Sequence, residues 1–133
     1  MSHFVKVVTA IKDQKALVLA LGRLGFEGKV EIYSEAQSLI GYKGDKREQK
    51  AHVILRRKHV GSASNDIGFE RINGVYIAHI SEYDHGSYGE AWQKKLFTYY
   101  GVEKAKLTFK SQGYAYEEDQ DSEGRIRVRA LNL

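Results

Sequence analysis

The chain of 133 residues contains no cysteine and no proline. Without cysteine it has no disulfides, thiolate metal ligands or cysteine nucleophile, which suits a reducing compartment. Without proline, its turns depend on glycine, asparagine and aspartate, and thirteen glycines are present. The first residues lack the apolar core of a signal peptide, and no apolar run is long enough to span a bilayer. We therefore expect a soluble, cytoplasmic protein with no membrane partner.

The length fits one domain, residues 1–133, which can bury a core large enough to fold without disulfides or a structural metal. The formal net charge is +4 and the sequence pI is about 9.2. Because this excess of positive charge is mild, the positions of the charges say more about function than their sum.

Two segments have the apolar spacing of helices. Asp13 is a candidate N-cap for the first, and Gly25 is a natural stop. Between them, apolar residues recur at i, i+3, i+4 and i+7: Leu17, Ala20, Leu21 and Leu24. The second helix is predicted over Glu90–Ser111.

Short segments with strand character make up most of the remaining chain. They are His3–Ile11, Lys29–Ser34, Leu39–Tyr42, Ala51–Lys58, Asp66–Ile72, Val75–Ser81, Tyr114–Glu118 and Arg125–Leu131. His3–Ile11 is apolar on both faces, which predicts a strand covered on both sides. Asn73-Gly74 is a strong hairpin signal. The order predicts an α+β fold, a mainly antiparallel sheet of about six to eight short strands with two helices packed on one face.

A cluster of cations is the first candidate site. Seven lie within sixteen residues, opposed there only by Asp45 and Glu48: Lys43, Lys46, Arg47, Lys50, Arg56, Arg57 and Lys58. The first four lie in a predicted loop, Gly41–Lys50, whose two glycines allow backbone amides to face an anion. Arginine suits phosphate and carboxylate. If the strand Ala51–Lys58 continues to its end, Arg56 and Arg57 point to opposite faces.

Three arginines on one face of the last predicted strand are secondary anion-binding candidates: Arg125, Arg127 and Arg129. Such a stripe suits a polyanion. The alternative is an exposed ion-pair ladder, because the facing strand and turn carry acids: Glu117, Glu118, Asp119, Asp121 and Glu123.

Catalytic and metal-binding patterns are weak. The five histidines are scattered and lack the i, i+4 helical spacing of zinc enzymes. The chain also lacks a nucleophile elbow, a phosphate-binding glycine-lysine loop and a dinucleotide fingerprint. We therefore expect no metal site and no cofactor. An enzyme would have to use acids and histidines that no spacing links: Asp66, Glu70, His79 or Asp84.

An ordered set of short motifs resembles one family. The set comprises Met1–Phe4, Gly41–Gly44, Lys50–Lys58, Asn65–Phe69, Gln112–Tyr114 and Gly124–Val128. It resembles the hypothetical chloroplast reading frame thirty-five family, also catalogued as domain of unknown function twelve fifty-seven. The resemblance implies a small soluble protein of cyanobacteria, plastids, or related bacterial or phage genomes, and it implies no catalytic residues. The location would be the stroma for a plastid protein and the host cytoplasm for a phage protein.

The basic cluster without a catalytic constellation predicts a non-enzymatic binding protein. Its ligand or partner would be anionic: a nucleotide, a nucleic acid or an acidic protein face. A phage source would favour a protein that sequesters or blocks a host component. The alternatives are a small enzyme of unrecognised type and a structural partner that forms a homo-oligomer through strand edges.

Overall fold

The computed structural model describes residues 3–131, which form seven strands and four helices. The strands are β1 (Phe4–Val8), β2 (Val30–Ile40), β3 (Lys46–Leu55), β4 (Ile67–Ile72), β5 (Val75–Ser81), β6 (Tyr116–Gln120) and β7 (Ile126–Ala130). The helices are α1 (Gln14–Leu21), α2 (Arg57–Val60), α3 (His85–Tyr88) and α4 (Glu90–Ser111). Of the helices described, none is both long and apolar enough to cross a membrane.

The seven strands form two antiparallel sheets. One has five strands in the order β1-β5-β4-β3-β2, and the other is the hairpin β6–β7. The Asn73-Gly74 turn has positive φ at both residues, 53° and 80°, and joins Ile72 to Val75 as predicted. The predicted α+β fold with a mainly antiparallel sheet is therefore confirmed, with its last two strands separated from the main sheet.

Helices α1 and α4 cover one face of the five-stranded sheet, as predicted. Asp13 caps α1 by accepting a hydrogen bond from the backbone of Ala16 at 3.0 Å. A π-helical turn, Gly22–Phe26, continues α1 to the predicted stop, where Gly25 has a φ of 102°. The main core lies between these helices and the sheet. Its larger fully buried side chains include Leu17 and Leu21 from α1, Leu96 from α4, and Phe69 and Tyr76 from the sheet.

The β2–β3 hairpin bends over the other face of the sheet. Ile40 near its tip exchanges hydrogen bonds with Asp66, which precedes β4, and Tyr42 donates from its backbone to the Asn65 side chain at 2.9 Å. Arg47 lies over the ring of Phe4, in the strand at the opposite edge of the sheet, at 5.2 Å. A hairpin that starts at one edge can touch the other only by crossing the face between them.

Gly68 makes this crossing possible. A Cβ atom at that position would lie 2.5 Å from the Cβ of Ala51 and 2.7 Å from Cδ2 of Leu39. A second, smaller core of fully buried residues forms here from Leu39, Ala51 and Ile54. The close approach of β2 and β3 to β4 therefore requires a residue without a side chain.

Four strand predictions are wrong in detail. His3–Ile11 was predicted to be covered on both sides, but β1 is a five-residue edge strand in which Val8 is 82% exposed. Lys29–Ser34 and Leu39–Tyr42 are parts of the single strand β2, whose pairing with β3 becomes irregular after Ile32 and obscures the alternation.

The fourth is Ala51–Lys58, since β3 runs from Lys46 to Leu55. The predicted loop Gly41–Lys50 is correspondingly shorter, because Gly41 and Asp45 already close the turn with a backbone hydrogen bond of 2.7 Å. Ala51 packs with Leu39 and Ile54, while Val53 belongs to the main core, so the two residues do not share a face as regular strand alternation would require.

Candidate functional site

A fully buried carboxylate organises the end of β3. Asp66 accepts hydrogen bonds from the backbone N–H groups of Ile40 and Arg57, each at 2.7 Å, and from Nη1 of Arg56 at 2.8 Å. Its side chain is 1% exposed. The bond to the Arg57 backbone coincides with the end of the strand and the start of α2. The change of direction lets Arg56 and Arg57 face one space, which a continuing strand would not allow.

Arg56 is engaged on three sides. Besides Asp66, its guanidinium donates to Glu31 at 2.8 Å and to the Tyr33 hydroxyl at 3.3 Å. Burial, which disfavours the charge, is outweighed by these hydrogen bonds, so the pKa of Arg56 lies above its ordinary value. Burial likewise opposes ionisation of Glu31, but Tyr33 and Arg56 hold the pKa of that carboxyl below its usual range. Arg56 is therefore a structural cation.

A second buried polar network holds the neighbouring segment. Asp84 accepts from the hydroxyl of Ser81 at 2.7 Å and from the backbone of Asn65 at 3.0 Å. The Asn65 amide donates to Ser81 at 2.9 Å and accepts from the Tyr42 backbone. Asn65 and Asp66 thus fasten the hairpin tip to the sheet by two adjacent side chains.

An open cleft of about 510 Å³ lies beside Asp66. Its lining carries four cations and two carboxylates: Lys46, Arg56, Arg57, Lys58, Glu31 and Asp66. Gln37, Ser38 and Ile40 complete it. Arg56 pairs with both carboxylates, and this triad carries one net negative charge. The other three cations, Lys46, Arg57 and Lys58, outweigh it, so the lining as a whole is positive. Among residues 3–131, Lys46 and Lys58 form no direct ion pair, although the charge of Lys58 helps to lower the pKa of Glu31. Arg57 donates to the carbonyl of Tyr42 at 3.0 Å.

The structure brings four of the seven predicted cations into this cleft and leaves three outside its lining. Lys43 lies 5.5 Å from the ring of Tyr42. Arg47 packs on Phe4 and lies 4.0 Å from Asp45. Lys50 on β3 is exposed and lies opposite Ser38 of β2. The seven cations therefore do not form one patch.

The three arginines of the second candidate face their acidic neighbours. Arg125 pairs with Asp121 and Glu123, Arg127 with Asp119, and Arg129 with Glu117 and Asp119, at N–O distances of 2.6 to 3.2 Å. All three side chains are at least half exposed. This arrangement is the ion-pair ladder that the sequence offered as the alternative to a polyanion stripe.

The residues considered for an enzyme belong to three separate hydrogen-bond sets. Asp66 and Asp84 are the acceptors described above. His79 is 1% exposed and its Nε2 lies 2.8 Å from Glu70. The described residues contain no group of three or more acids and histidines placed to hold a metal ion.

Sequence reasoning missed most of the residues that hold the cleft in place. Glu31, Tyr33, Asn65 and Ser81 were not singled out, although each binds a residue that positions the cleft. The available signal was the pair Asn65-Asp66, two strongly polar residues next to the apolar start of β4, where burial requires partners.

The profile of a family described as "Protein of unknown function (DUF1257)" matches residues 20–129. The chain belongs to this family. The match covers β2 to β6 and nearly all of β7, and so includes every residue that lines the cleft. No curated protein and no solved structure matches the chain. The resemblance inferred from the short motifs is thereby confirmed, and the function has to be argued from the cleft.

Proposed function

We propose that this DUF1257 protein is a non-enzymatic binding protein whose cleft takes a phosphate-bearing ligand of about nucleotide size. The observation that carries the proposal is the convergence of Lys46, Arg57 and Lys58 on one cleft, where they outnumber the single negative charge left on the paired Arg56, Glu31 and Asp66. An anion entering there replaces no existing ion pair of Lys46 or Lys58.

The cleft also has the dimensions of a ligand site. Its volume of about 510 Å³ lies within the range of roughly 300–1,000 Å³ typical of small-molecule pockets. The rim presents an arginine fork from Arg57 and two ammonium groups, a combination that suits phosphate oxygens. Gln37 and Ser38 add neutral polar groups that can accept or donate hydrogen bonds.

Rigid support favours binding as well. The backbone around the cleft is fixed by Asp66, which joins the hairpin tip to the start of α2. Because the cations stand on a scaffold held by buried hydrogen bonds, less ordering is needed when a ligand arrives. Nucleic acid and an acidic protein face are the other ligand classes that the same charge would attract.

Binding should be measured by calorimetry with ATP and pyrophosphate, and by fluorescence anisotropy with a labelled single-stranded oligonucleotide and with polyglutamate. We expect ATP or pyrophosphate to bind more tightly than polyglutamate at equal salt, and the affinity to fall as salt is raised. Tighter binding of the oligonucleotide than of ATP would assign the cleft to nucleic acid instead.

The decisive variant is Lys46→Glu/Lys58→Glu, which leaves the Arg56 ion pairs in place. Its affinity for pyrophosphate should fall by about tenfold or more. Lys94→Glu/Lys95→Glu is the matched control, because it makes the same change in net charge at two exposed lysines of α4. If both variants lose affinity equally, the protein attracts anions only through its overall charge, and the proposal fails.

A further inference from the structure

Strand β2 forms an open edge of the main sheet. It pairs with β3 on one side, and no strand among residues 3–131 pairs with its other side. With eleven residues it is the longest strand in the described part of the chain, and its pairing with β3 is regular from Val30 to Ile32. An edge of this kind presents unpaired backbone N–H and C=O groups and is a template for another strand.

Apolar side chains are exposed beside this edge. Ile32 is 46% exposed and Leu19, on α1, is 40% exposed. Ile32 lies opposite the core residue Val53, so it belongs to the face of the sheet that the helices cover. Between α1 and the start of β2 lies a cleft of about 450 Å³, whose apolar lining includes Val18, Leu19, Phe26 and Val30. The edge and the helix above it therefore offer one continuous apolar border.

We propose that this border is a homodimer interface, in which β2 of two copies pairs antiparallel through residues 29–35 around a twofold axis at Ile32. The proposal does not depend on the anion-binding function. The two five-stranded sheets would join into one, and the α1 helices would lie side by side above it. Ile32 and Leu19 would then be covered by their counterparts.

Charge selects this register. A twofold axis perpendicular to the sheet keeps the helices of both copies on the same side, so that paired residues share a face. With Ile32 opposite itself, Lys29 lies opposite Glu35 at both ends of the pairing. Moving the axis to Glu31 would place two glutamates face to face, and moving it to Tyr33 would oppose Glu31 with Glu35.

Lys29 and Glu35 suit this pairing because both are exposed and neither forms an ion pair within the described chain. Registers centred further toward the N-terminus leave more of the pairing outside β2, which starts at Val30, and registers centred further along leave more of it in the irregular segment between Ile32 and Gln37. The other edge strand, β1, is shorter, and Lys6 lies in its middle, a feature that discourages edge pairing.

The absence of cysteine allows a direct test of the axis. Ile32→Cys would place the two new thiols opposite each other, within the Cα separation that a disulfide requires. Mild oxidation should then give a covalent dimer at concentrations where the control, Val5→Cys on the β1 edge, stays monomeric. Val5 is a fair control because it is also a partly exposed apolar strand residue, 36% exposed.

A charge exchange tests the register in solution by sedimentation velocity over a range of concentrations. We expect the wild-type chain to sediment as a dimer and Lys29→Glu to weaken the dimer by about tenfold. Lys29→Glu/Glu35→Lys should restore it. Three outcomes would each overturn the proposal: a monomer at every concentration, a cross-link through Val5→Cys in place of Ile32→Cys, or a charge exchange that fails to restore the dimer. None of them bears on the anion-binding proposal.

Discussion

Asp66 and Asp121 accept the same kinds of hydrogen bond in two different regions. Each binds two backbone N–H groups and one arginine side chain, at 2.7 to 2.9 Å. Asp66 lies beside the basic cleft and its side chain is 1% exposed, whereas Asp121 lies in the β6–β7 turn and is 18% exposed. The partners of Asp66 include Ile40, 26 residues away, while those of Asp121 lie within four residues.

The difference separates a tertiary clamp from a local turn. Loss of the Asp66 acceptor would leave buried donors unsatisfied in two segments that the carboxylate joins. At Asp121, water can replace the lost acceptor, and only one turn is affected. The same contrast holds for arginine, because Arg56 is enclosed by its partners whereas Arg125 is 72% exposed in its side chain. Similar contacts thus have different consequences according to burial and sequence distance.

The largest expected effect tests this contrast directly. Asp66→Asn keeps the shape of the side chain but removes its charge and turns one acceptor into a donor. We expect a loss of about 3–5 kcal/mol in the free energy of unfolding, the range for breaking one partner of a buried ion pair. Urea denaturation followed by the fluorescence of the single tryptophan measures it.

Asp121→Asn is the matched control, because it makes the same chemical change with the same number of donors. Its unfolding midpoint should stay close to that of the wild type. Equal losses in the two variants would mean that burial does not distinguish the two carboxylates.

Two glycines extend the comparison with a smaller effect. Gly68 is required by space, while Gly124, with a φ of 82° and no atom within 4 Å of an added Cβ, is required by conformation. Gly68→Ala should cost about 1–3 kcal/mol through overpacking, and Ala51→Gly in the same chain should recover part of it. Gly124→Ala should cost about 1 kcal/mol, whereas Gly124→Asn should cost less, since asparagine tolerates positive φ. Thermal unfolding of the wild type and the four variants distinguishes the steric from the conformational cause. If Ala51→Gly recovers no stability in Gly68→Ala, and Gly124→Asn is no more stable than Gly124→Ala, both explanations are wrong.

The sequence predicted the elements whose contacts are local. Helix α4 begins and ends at the predicted residues, Asp13 caps α1, and Asn73-Gly74 makes the predicted hairpin. Each depends on residues within a few positions of one another, so the periodicity and the turn chemistry are visible in the sequence.

The candidate site was predicted only in part because it depends on contacts between distant segments. The sequence identified the cations but not that Asp66 would end β3 at Leu55 or that Arg56 would be enclosed by Glu31 and Tyr33. Those contacts depend on the bend of β2 over the sheet. The alternation of polar and apolar residues in a hairpin does not show which part of the sheet the hairpin will cover. A cluster of charges in the sequence therefore indicates which residues are available, and the tertiary contacts decide which of them remain available to a ligand.

The smallest expected effect concerns how the β6–β7 hairpin is held to the rest of the protein. Glu118 on β6 accepts hydrogen bonds from Arg23 at 2.9 and 3.0 Å and also pairs with Lys106. Arg23 first, and then Lys106, lower the pKa of Glu118 to about 2 from an ordinary value of 4.5. Because the folded protein prefers the ionised carboxylate, this contribution is fully present above pH 4.5 and is lost as the pH falls toward 2.

Acid should therefore loosen the hairpin before it disturbs the main core. Backbone amide hydrogen exchange of β6 and β7 should accelerate, relative to the intrinsic rate, as the pH falls from 4.5 toward 2, while the core strands β4 and β5 keep their protection. Glu118→Gln removes the titrating group that ties the hairpin to Arg23 and Lys106, so its hairpin should exchange faster at pH 6 and should change less with acid. A smaller response should remain from Asp119 and Asp121, whose pKa values are also lowered in the folded protein. If β4 and β5 lose protection together with the hairpin, the two regions unfold as one unit. The difference between the buried Asp66 and the exposed hairpin would then concern individual contacts only, and the two regions would not differ in stability.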